Sequence, residues 1–119
     1  MAQENIGRRV ELAWLAAFYG ALLTENQRRV LSLHCEEDMS LSEIAEATGT
    51  TRQGVHETLT RAAAKLDAME GKLRLAARFQ RMEEGLLRCR AALREGRLAE
   101  AKTTLDDLIR LEQEESNGL

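Results

Sequence analysis

Three side chains at the start of one predicted helix could form hydrogen bonds with the edges of nucleic-acid bases. Arg52 and Gln53 are neighbours, and His56 follows one helical turn later. Arginine can donate two hydrogen bonds to guanine, and glutamine can pair in the same two-point way with adenine. If this helix enters the major groove of duplex DNA, these side chains are the nearest to the base edges. The alternative is an ordinary solvent-facing helix start, because Arg-Gln is usual composition there and Glu57 would repel phosphates.

Further basic side chains follow along the same stretch and could contact a phosphate backbone. The candidates are Arg61, Lys65, Arg74, Arg78 and Arg81. The arginines from position 74 onward share one face of a helix, and that series continues at Arg88. The deep major groove of duplex RNA excludes side chains, so such a face would hold RNA through phosphates and 2′-hydroxyls. The alternative is a solvated face in which Glu70 and Glu84 each pair with an arginine four residues later.

Little in the sequence could catalyse a reaction or bind a metal. His34 and His56 lie on different predicted helices, and Cys35 directly follows His34 instead of standing one turn away, as zinc ligands do. There is no Gly-Lys phosphate-binding motif. Cys35 and Cys89 are isolated, which predicts reduced thiols that pack between helices. We therefore expect a protein that is not an enzyme and uses no cofactor or metal.

Positive charge is concentrated in the middle of the chain, although the formal net charge is only −3. Residues 1–51 sum to −4, residues 52–97 to +5 and residues 98–119 to −4. The positive segment begins at the candidate base-reading residues, where a phosphate footprint is expected. This modest excess permits nucleic-acid binding without requiring it.

Nothing in the sequence is typical of a membrane protein. No apolar run approaches the roughly 20 residues needed to span a bilayer. The first residues also lack the apolar segment of a signal peptide. We expect a cytoplasmic protein with no membrane span.

The elements that must position these side chains are predicted to be helices throughout. Proline is absent, and Leu, Ala, Glu and Arg dominate a chain that has no strand-like alternation of β-branched residues. The sequence therefore predicts an all-α fold.

Residues 40–59 have the pattern of a helix, a short turn and a second helix. Ser40 and Glu43 form a capping box that opens the first helix. Gly49 can adopt the positive φ of the turn, and Thr51 can cap the helix that follows. This is the helix-turn-helix layout of nucleic-acid-binding domains.

Two more helices are predicted before this motif. The first covers residues 6–19, and the second covers residues 25–36 after a capping box of Thr24 and Gln27. We expect one apolar face of the first helix to carry Ile6, Val10, Ala13 and Ala17, widened by Trp14 and Phe18.

A long helix and a helical hairpin are predicted after the motif. Apolar residues recur at alternating spacings of four and three, but the series changes phase beside Gly71, where a bend or break is expected. Gly96 then separates two amphipathic helices that should form an antiparallel hairpin. Two helices alone bury too little apolar area, so we expect docking on the N-terminal domain or, through residues 75–112, on a second copy. The predicted divisions are a helix-turn-helix domain at 1–70, the hairpin at 71–115 and a frayed tail at 116–119.

Several short runs occur in an order that is typical of one bacterial family. They are Phe18-Tyr19-Gly20, Leu22-Leu23-Thr24, Gln27-Arg28, Glu37-Asp38, Ser40-Leu-Ser-Glu-Ile-Ala-Glu46 and Arg52-Gln53-Gly54-Val55. Over roughly residues 6–75 the sequence resembles the YlxM family of helix-turn-helix proteins. The resemblance implies a fold related to region four of RNA polymerase sigma factors. It also implies a link to the signal recognition particle, because the family is encoded beside that particle's GTPase and its receptor.

The sequence departs from the family pattern around the turn. Thr48 and Thr50 flank the turn glycine where the family has Leu and Ile or Val, and His56 replaces an aromatic residue. Threonine hydroxyls can bond locally to the helix backbone, so we expect the turn to survive with looser packing.

These observations favour a non-enzymatic, nucleic-acid-binding regulator. The resemblance implies that it modulates the signal recognition particle by binding its RNA, its GTPase or both. The first alternative is a transcription regulator that reads DNA with Arg52, Gln53 and His56. The second is a helical adaptor that dimerises through its C-terminal hairpin and binds no nucleic acid.

Overall fold

Several helices of this protein begin where side chains satisfy the free N–H groups of their first turns. The computed structural model describes the backbone of residues 2–118 and the side chains of residues 7–116. Within that range the regular elements are α-helices and one short 3₁₀ turn, which confirms the predicted all-α fold. The elements are α1 (Ala2–Tyr19), the 3₁₀ turn (Gly20–Leu22), α2 (Glu25–Cys35), α3 (Leu41–Thr48), α4 (Arg52–Leu73), α5 (Leu75–Arg94) and α6 (Leu98–Gly118).

All three predicted helix caps are present. The Thr24 hydroxyl accepts a 3.1 Å hydrogen bond from the Gln27 N–H, and the Gln27 side chain accepts one of 3.0 Å from the Thr24 N–H. Ser40 and Glu43 exchange the same two bonds, each 3.1 Å long, at the start of α3. At the start of α4 the Thr51 hydroxyl accepts from the Gly54 N–H at 3.0 Å. These bonds satisfy donors that a helix leaves free at its N-terminus.

The chain divides into two compact units, Met1–Ala76 and Ala77–Leu119. The predicted boundary between residues 70 and 71 lies inside α4, and the division into folding domains stays a prediction. Helix α6 continues to Gly118 and thus includes most of the predicted tail, while Leu119 lies outside the described residues. In the part of the chain that the structure describes, no helix is long and apolar enough to cross a bilayer.

Helix α4 is the central element of the first unit and packs against α1, α2 and α3. Ala62 and Leu66 are fully buried against side chains of α1 and α2, whereas Val55 lies with Val30 and Ile44 in a second cluster. Leu59 contacts both clusters. The buried side chains of α4 therefore follow the predicted four-and-three spacing.

The apolar face predicted for α1 is only partly the one that packs in the core, where Phe18 contacts the cluster. The buried side chains are Leu12, Leu15 and Tyr19, whereas Val10 is 65% exposed. Ala17 is also exposed, and Ile6 lies outside the described side chains. Because α1 carries apolar residues nearly all round, periodicity alone could not choose the face, and the larger side chains of the series 12, 15 and 19 pack against α4.

The break after α4 lies three residues beyond the glycine that was expected to cause it. Gly71 is helical, and Arg74 adopts the left-handed conformation with φ of 56°. The Tyr19 hydroxyl accepts a 2.9 Å bond from the Leu75 N–H and donates to Glu70 at 2.6 Å. Glu70 in turn accepts from the Ala76 N–H at 3.1 Å. Two acceptors from earlier helices thus satisfy the first free donors of α5, and these acceptors decide where α4 ends.

The second unit is an antiparallel hairpin of α5 and α6, in agreement with the predicted topology. Gly96 has φ of +76° in the connecting turn. The Cys89 thiol donates a 3.5 Å bond to the carbonyl oxygen of Ala101. Further from the turn, Leu108 packs onto Gly85, where a Cβ atom would overlap the leucine side chain. Glycine at this position therefore allows the two helices to approach closely.

We predict that Tyr19→Phe weakens the junction between α4 and α5. Burial and the nearby Glu70 carboxylate raise the pKa of Tyr19, so its hydroxyl stays protonated and donates. Removing it leaves the Leu75 N–H without its acceptor and should lower the free energy of unfolding by about 1–2 kcal/mol. Urea denaturation measures this loss, and hydrogen exchange should accelerate first at the amides of Leu75 and Ala76.

The matched control is Ser32→Ala, which removes a hydroxyl that donates to Glu36 at 3.1 Å on the exposed side of α2. It should change stability by less than about 0.5 kcal/mol. Equal losses in the two variants would contradict the role given to Tyr19.

Candidate nucleic-acid interface

The turn between α3 and α4 is held by its own backbone and by the two threonines that depart from the family pattern. Gly49 has φ of 68°, the left-handed conformation that glycine adopts most readily. The Ala45 carbonyl accepts from the Thr50 N–H at 3.0 Å. The Thr48 hydroxyl donates to the Ile44 carbonyl at 2.7 Å and lies 3.0 Å from the Thr50 hydroxyl. The expected bond from a threonine hydroxyl to the helix backbone is present at Thr48.

Packing beneath this turn fixes the orientation of α4. Ile44 and Ala45 of α3 and Val55 of α4 are 0%, 7% and 1% exposed, and they meet Val30 of α2. With Val55 pointing inward, the residues on the opposite side of the first two turns must face solvent. The helix-turn-helix thus presents the beginning of α4 as an exposed surface.

Arg52, Gln53 and His56 all lie on that exposed surface, as their spacing predicts. Gln53 contacts Glu57 through a weak 3.5 Å hydrogen bond, so an acidic group stands among the candidate base-reading side chains. Gly54 donates its N–H to the Thr51 cap, and a Cβ there would come within 3.1 Å of the Thr51 hydroxyl. The glycine therefore leaves room for the cap as well as for close approach of a ligand.

Arg61 and Lys65 are also exposed on α4, but helical spacing turns them by roughly 140° or more about the axis from Arg52 and His56. They are four residues apart and share a stripe with Lys72, which lies two turns further along the helix. Asp67 lies on a different side of α4, where its carboxylate pairs with Arg8 of α1 at 2.7 Å. Arg74 is exposed at the left-handed position after α4.

Arg78 and Arg81 belong to α5 in the second unit, and both pair with carboxylates of α6, the other helix of that unit. Arg78 pairs with Glu115 at 2.6 Å and with Glu112 at 3.0 Å, and its side chain is only 15% exposed. Arg81 also pairs with Glu115. The acidic partners come from α6. They could not be recognised from the sequence, where only pairs four residues apart on one helix can be identified. Arg78 thus closes the open end of the hairpin and has little surface left for a phosphate.

Exposed basic residues outside the sequence candidates include a pair on α2. Arg28 and Arg29 lie on α2, in the same unit as the helix-turn-helix. Summing charge over residues 1–51 concealed them, because eight acidic side chains share that segment. A signal was present, since the pair follows the Thr24 capping box and so stands near the start of a helix.

The thiol and imidazole groups of α2 are packed into the fold. Burial raises the pKa of Cys35, which keeps the thiol protonated and unreactive. Burial, followed by the charge of Arg9, lowers the pKa of His34. The side chain of Arg9 donates to His34 at 3.4 Å and pairs with Asp38. These residues join α1 to the corner after α2.

We predict that the α3 capping box makes stability depend on acid pH. Hydrogen bonds from the Ser40 backbone and side chain lower the pKa of Glu43, so the carboxylate favours the folded state. This contribution is fully present above the pKa that Glu43 has in the unfolded chain, and it is lost as pH falls through the lower folded pKa. Unfolding free energies of wild type and Glu43→Gln, measured by urea denaturation across that window, should converge as the pH falls.

Glutamine is a fair replacement because Gln27 serves the same role in the α2 box. Glu46→Gln is the control, since it removes an exposed carboxylate of α3 that lies outside the cap. The difference between wild type and the control should not follow the same pH profile. If Glu43→Gln differs from wild type by a constant amount over the whole window, the proposed linkage is wrong.

We also predict that Arg78→Met lowers stability and leaves nucleic-acid affinity unchanged. Methionine keeps the length of the side chain but leaves Glu112 and Glu115 without their shared cation, at a cost of about 1–2 kcal/mol. Arg81→Met, whose side chain is 46% exposed, should cost less. Thermal unfolding measures the first effect, and a gel shift at a temperature where both variants are folded measures the second. Normal stability together with weakened binding would instead make Arg78 a phosphate ligand.

Comparison with known proteins places the chain in a family. Residues 6–105 match the family model described as "Putative helix-turn-helix protein, YlxM / p13 like", so the match extends beyond the helix-turn-helix into α6. A UPF0122 protein of Clostridium botulinum is 39% identical over 87 residues, which cover 73% of this chain and 80% of the relative.

Two further relatives agree with this match. The UPF0122 protein of Shouchella clausii is 35% identical over 104 residues, covering 87% of this chain and 95% of the relative. That of Acetivibrio thermocellus is 48% identical over 69 residues, covering 58% and 59%. The resemblance inferred from the sequence is confirmed, and the chain belongs to the YlxM / p13-like family of helix-turn-helix proteins.

Proposed function

We propose that this protein is a non-enzymatic regulator that binds nucleic acid through the exposed side of α4. The observation that carries the proposal is the set of polar and basic side chains exposed along this helix. They are Arg52, Gln53, His56, Arg61 and Lys65. Buried Val55 and Leu66 hold the opposite side of α4 in the core, so the surface is presented by a rigid element. Arg74 extends it, and Arg28 and Arg29 are further candidates on the same unit.

The resemblance to the YlxM family supports a finer proposal about the ligand. That family is linked to the signal recognition particle, so the particle's RNA, its GTPase or both are the proposed targets. Bound to duplex RNA, α4 would act mainly through phosphates and 2′-hydroxyls, because base edges in the A-form major groove are out of reach. Arg61 and Lys65 would then matter more than Arg52 and Gln53.

Sequence-specific DNA binding is the second candidate function. It is favoured by the position of Arg52 and Gln53 at the exposed start of the second helix of the motif, which is the part that enters the major groove in helix-turn-helix proteins. In that case Arg52, Gln53 and His56 would contact base edges. Pairing of two copies through residues 75–112 is compatible with either ligand, and apolar side chains left exposed by the hairpin support it.

The two ligands can be separated by paired substitutions in a competition gel shift. The signal recognition particle RNA competes against genomic DNA fragments, with and without the particle's GTPase. If RNA phosphates are the target, Arg61→Ala with Lys65→Ala should reduce the slope of log affinity against log salt by about one per lost contact. Arg52→Ala with Gln53→Ala should then have little effect.

If DNA is read, the second pair of substitutions should cost about 1–3 kcal/mol for each base contact and relax sequence preference. Arg110→Ala is the control, because it removes one exposed positive charge from the acidic helix α6. Preference for one DNA sequence together with indifference to the RNA would reject the finer proposal. Undisturbed binding to both by all α4 variants would reject the binding surface itself.

A further inference from the structure

The hairpin has two unlike sides. One side carries an open apolar cleft of about 580 Å³, and the side chains that line it include Met82, Leu86, Leu105 and Ile109. Leu86 is 49% exposed and Ile109 is 50% exposed. The opposite side is polar, since Glu84 and Arg88 of α5 are both exposed there. Such a division is expected of a helix pair that covers its apolar side with another element.

The hairpin buries little of its own apolar surface. Among the residues that the structure describes in this unit, the buried hydrophobic side chains are Ala92, Ala101 and Leu108. Two of these three are alanines, so they supply a small part of the apolar burial that a stable unit of about 40 residues requires. Leu93 and Leu98, near the turn, are 53% and 68% exposed. By itself, the described part of this unit therefore has no second layer over its apolar side.

The charged side chains beside the cleft indicate which partner covers this apolar side. A groove of about 330 Å³ runs along α5, with Glu83 and Arg90 among the residues that line it. They stand seven residues apart, and Leu86 and Leu87 occupy the midpoint between them. A two-fold axis at that midpoint would bring Glu83 of one copy opposite Arg90 of the other, twice. A surface with this arrangement is complementary to itself, which is the requirement for a two-fold symmetric interface.

We propose that the apolar side of the hairpin binds a second copy of this chain, with the two α5 helices antiparallel about a two-fold axis at Leu86 and Leu87. Leu86, Leu105 and Ile109 supply the apolar contact, and the Glu83–Arg90 pairs set the register. The inference rests on the pairing of two copies proposed above, and it is independent of which nucleic acid the protein binds.

Sedimentation of the full chain tests the apolar contact. Wild type should be a dimer, and Leu86→Arg should raise the dissociation constant roughly a hundredfold or more, because two leucine side chains are lost from each dimer. Arg88→Glu is the control, since it changes a charge on the exposed, polar side of the same helix that faces away from Leu86. It should leave the dimer intact, and circular dichroism checks that both variants remain helical.

Charge reversal tests the symmetry. Glu83→Arg and Arg90→Glu should each weaken the homodimer roughly three- to thirtyfold, because each replaces two attractive pairs with repulsive ones. The double variant restores both pairs and should return to within about threefold of wild type. Mixing the two single variants should produce a heterodimer, since every contact between them is then attractive.

Each outcome distinguishes this inference from the proposed function. A monomeric wild type at all concentrations overturns both the interface and the pairing of copies, while the nucleic-acid proposal still depends on the gel shift. The interface is wrong if the dimer survives Leu86→Arg, or if a mixture of the two single variants forms no heterodimer. Two copies would then pair through another surface. Loss of RNA or DNA binding in the α4 variants has no bearing on either result.

Discussion

Helix α4 must be buried along one side and exposed along the other, and most of the first unit depends on that constraint. Its inward side chains contact three other helices, so α1, α2 and α3 are all positioned by the same stripe. Leu59 joins the two clusters of that core. A rotation of α4 by even one residue would expose Ala62 and Leu66 and bury polar groups such as Arg61. The surface offered to a ligand is therefore fixed by the core.

The same core also decides where α4 stops. Tyr19 is 2% exposed within the first cluster, yet its hydroxyl reaches the backbone at Leu75. Glu70, one turn before the end of α4, binds both that hydroxyl and the Ala76 N–H. The left-handed Arg74 is a cost that these three hydrogen bonds offset, because arginine adopts positive φ less readily than glycine does. A core residue of α1 thus defines the boundary between the two helices.

What could be predicted from the sequence was local. The capping boxes, the cap at Thr51 and the turn at Gly49 involve residues within three or four positions of one another, so short patterns contain the whole interaction. The apolar spacing of α4 was also sufficient, because only one of its sides is apolar. Exposure of the candidate residues on α4 followed directly from that spacing. The family could be recognised because its runs of residues retain their order.

What could not be predicted depended on distant partners. The buried face of α1 is chosen by its fit against α4, and several faces of that helix are apolar enough to serve. The break at Arg74 requires an acceptor on Tyr19, more than fifty positions away in the chain. The partners of Arg78 lie on α6, 34 and 37 positions along the chain. In each case the residue itself was visible in the sequence. Its structural role depends on a contact with a distant residue, which the spacing of apolar residues does not reveal.

Several arginines form ion pairs within the fold, and this narrows the set of cations that could contact phosphates. Arg8 and Arg9 are paired with carboxylates in the first unit, and Arg78 and Arg81 are paired in the second. In the first unit, the cations left for phosphates are therefore mainly those of α4 and α2. Each phosphate contact releases about one counterion from the nucleic acid, and this release favours binding. One copy with few such contacts should therefore bind nucleic acid weakly at physiological salt. Two copies joined through their hairpins would double the contacts on one ligand, so the proposed pairing and the proposed nucleic-acid binding reinforce each other physically.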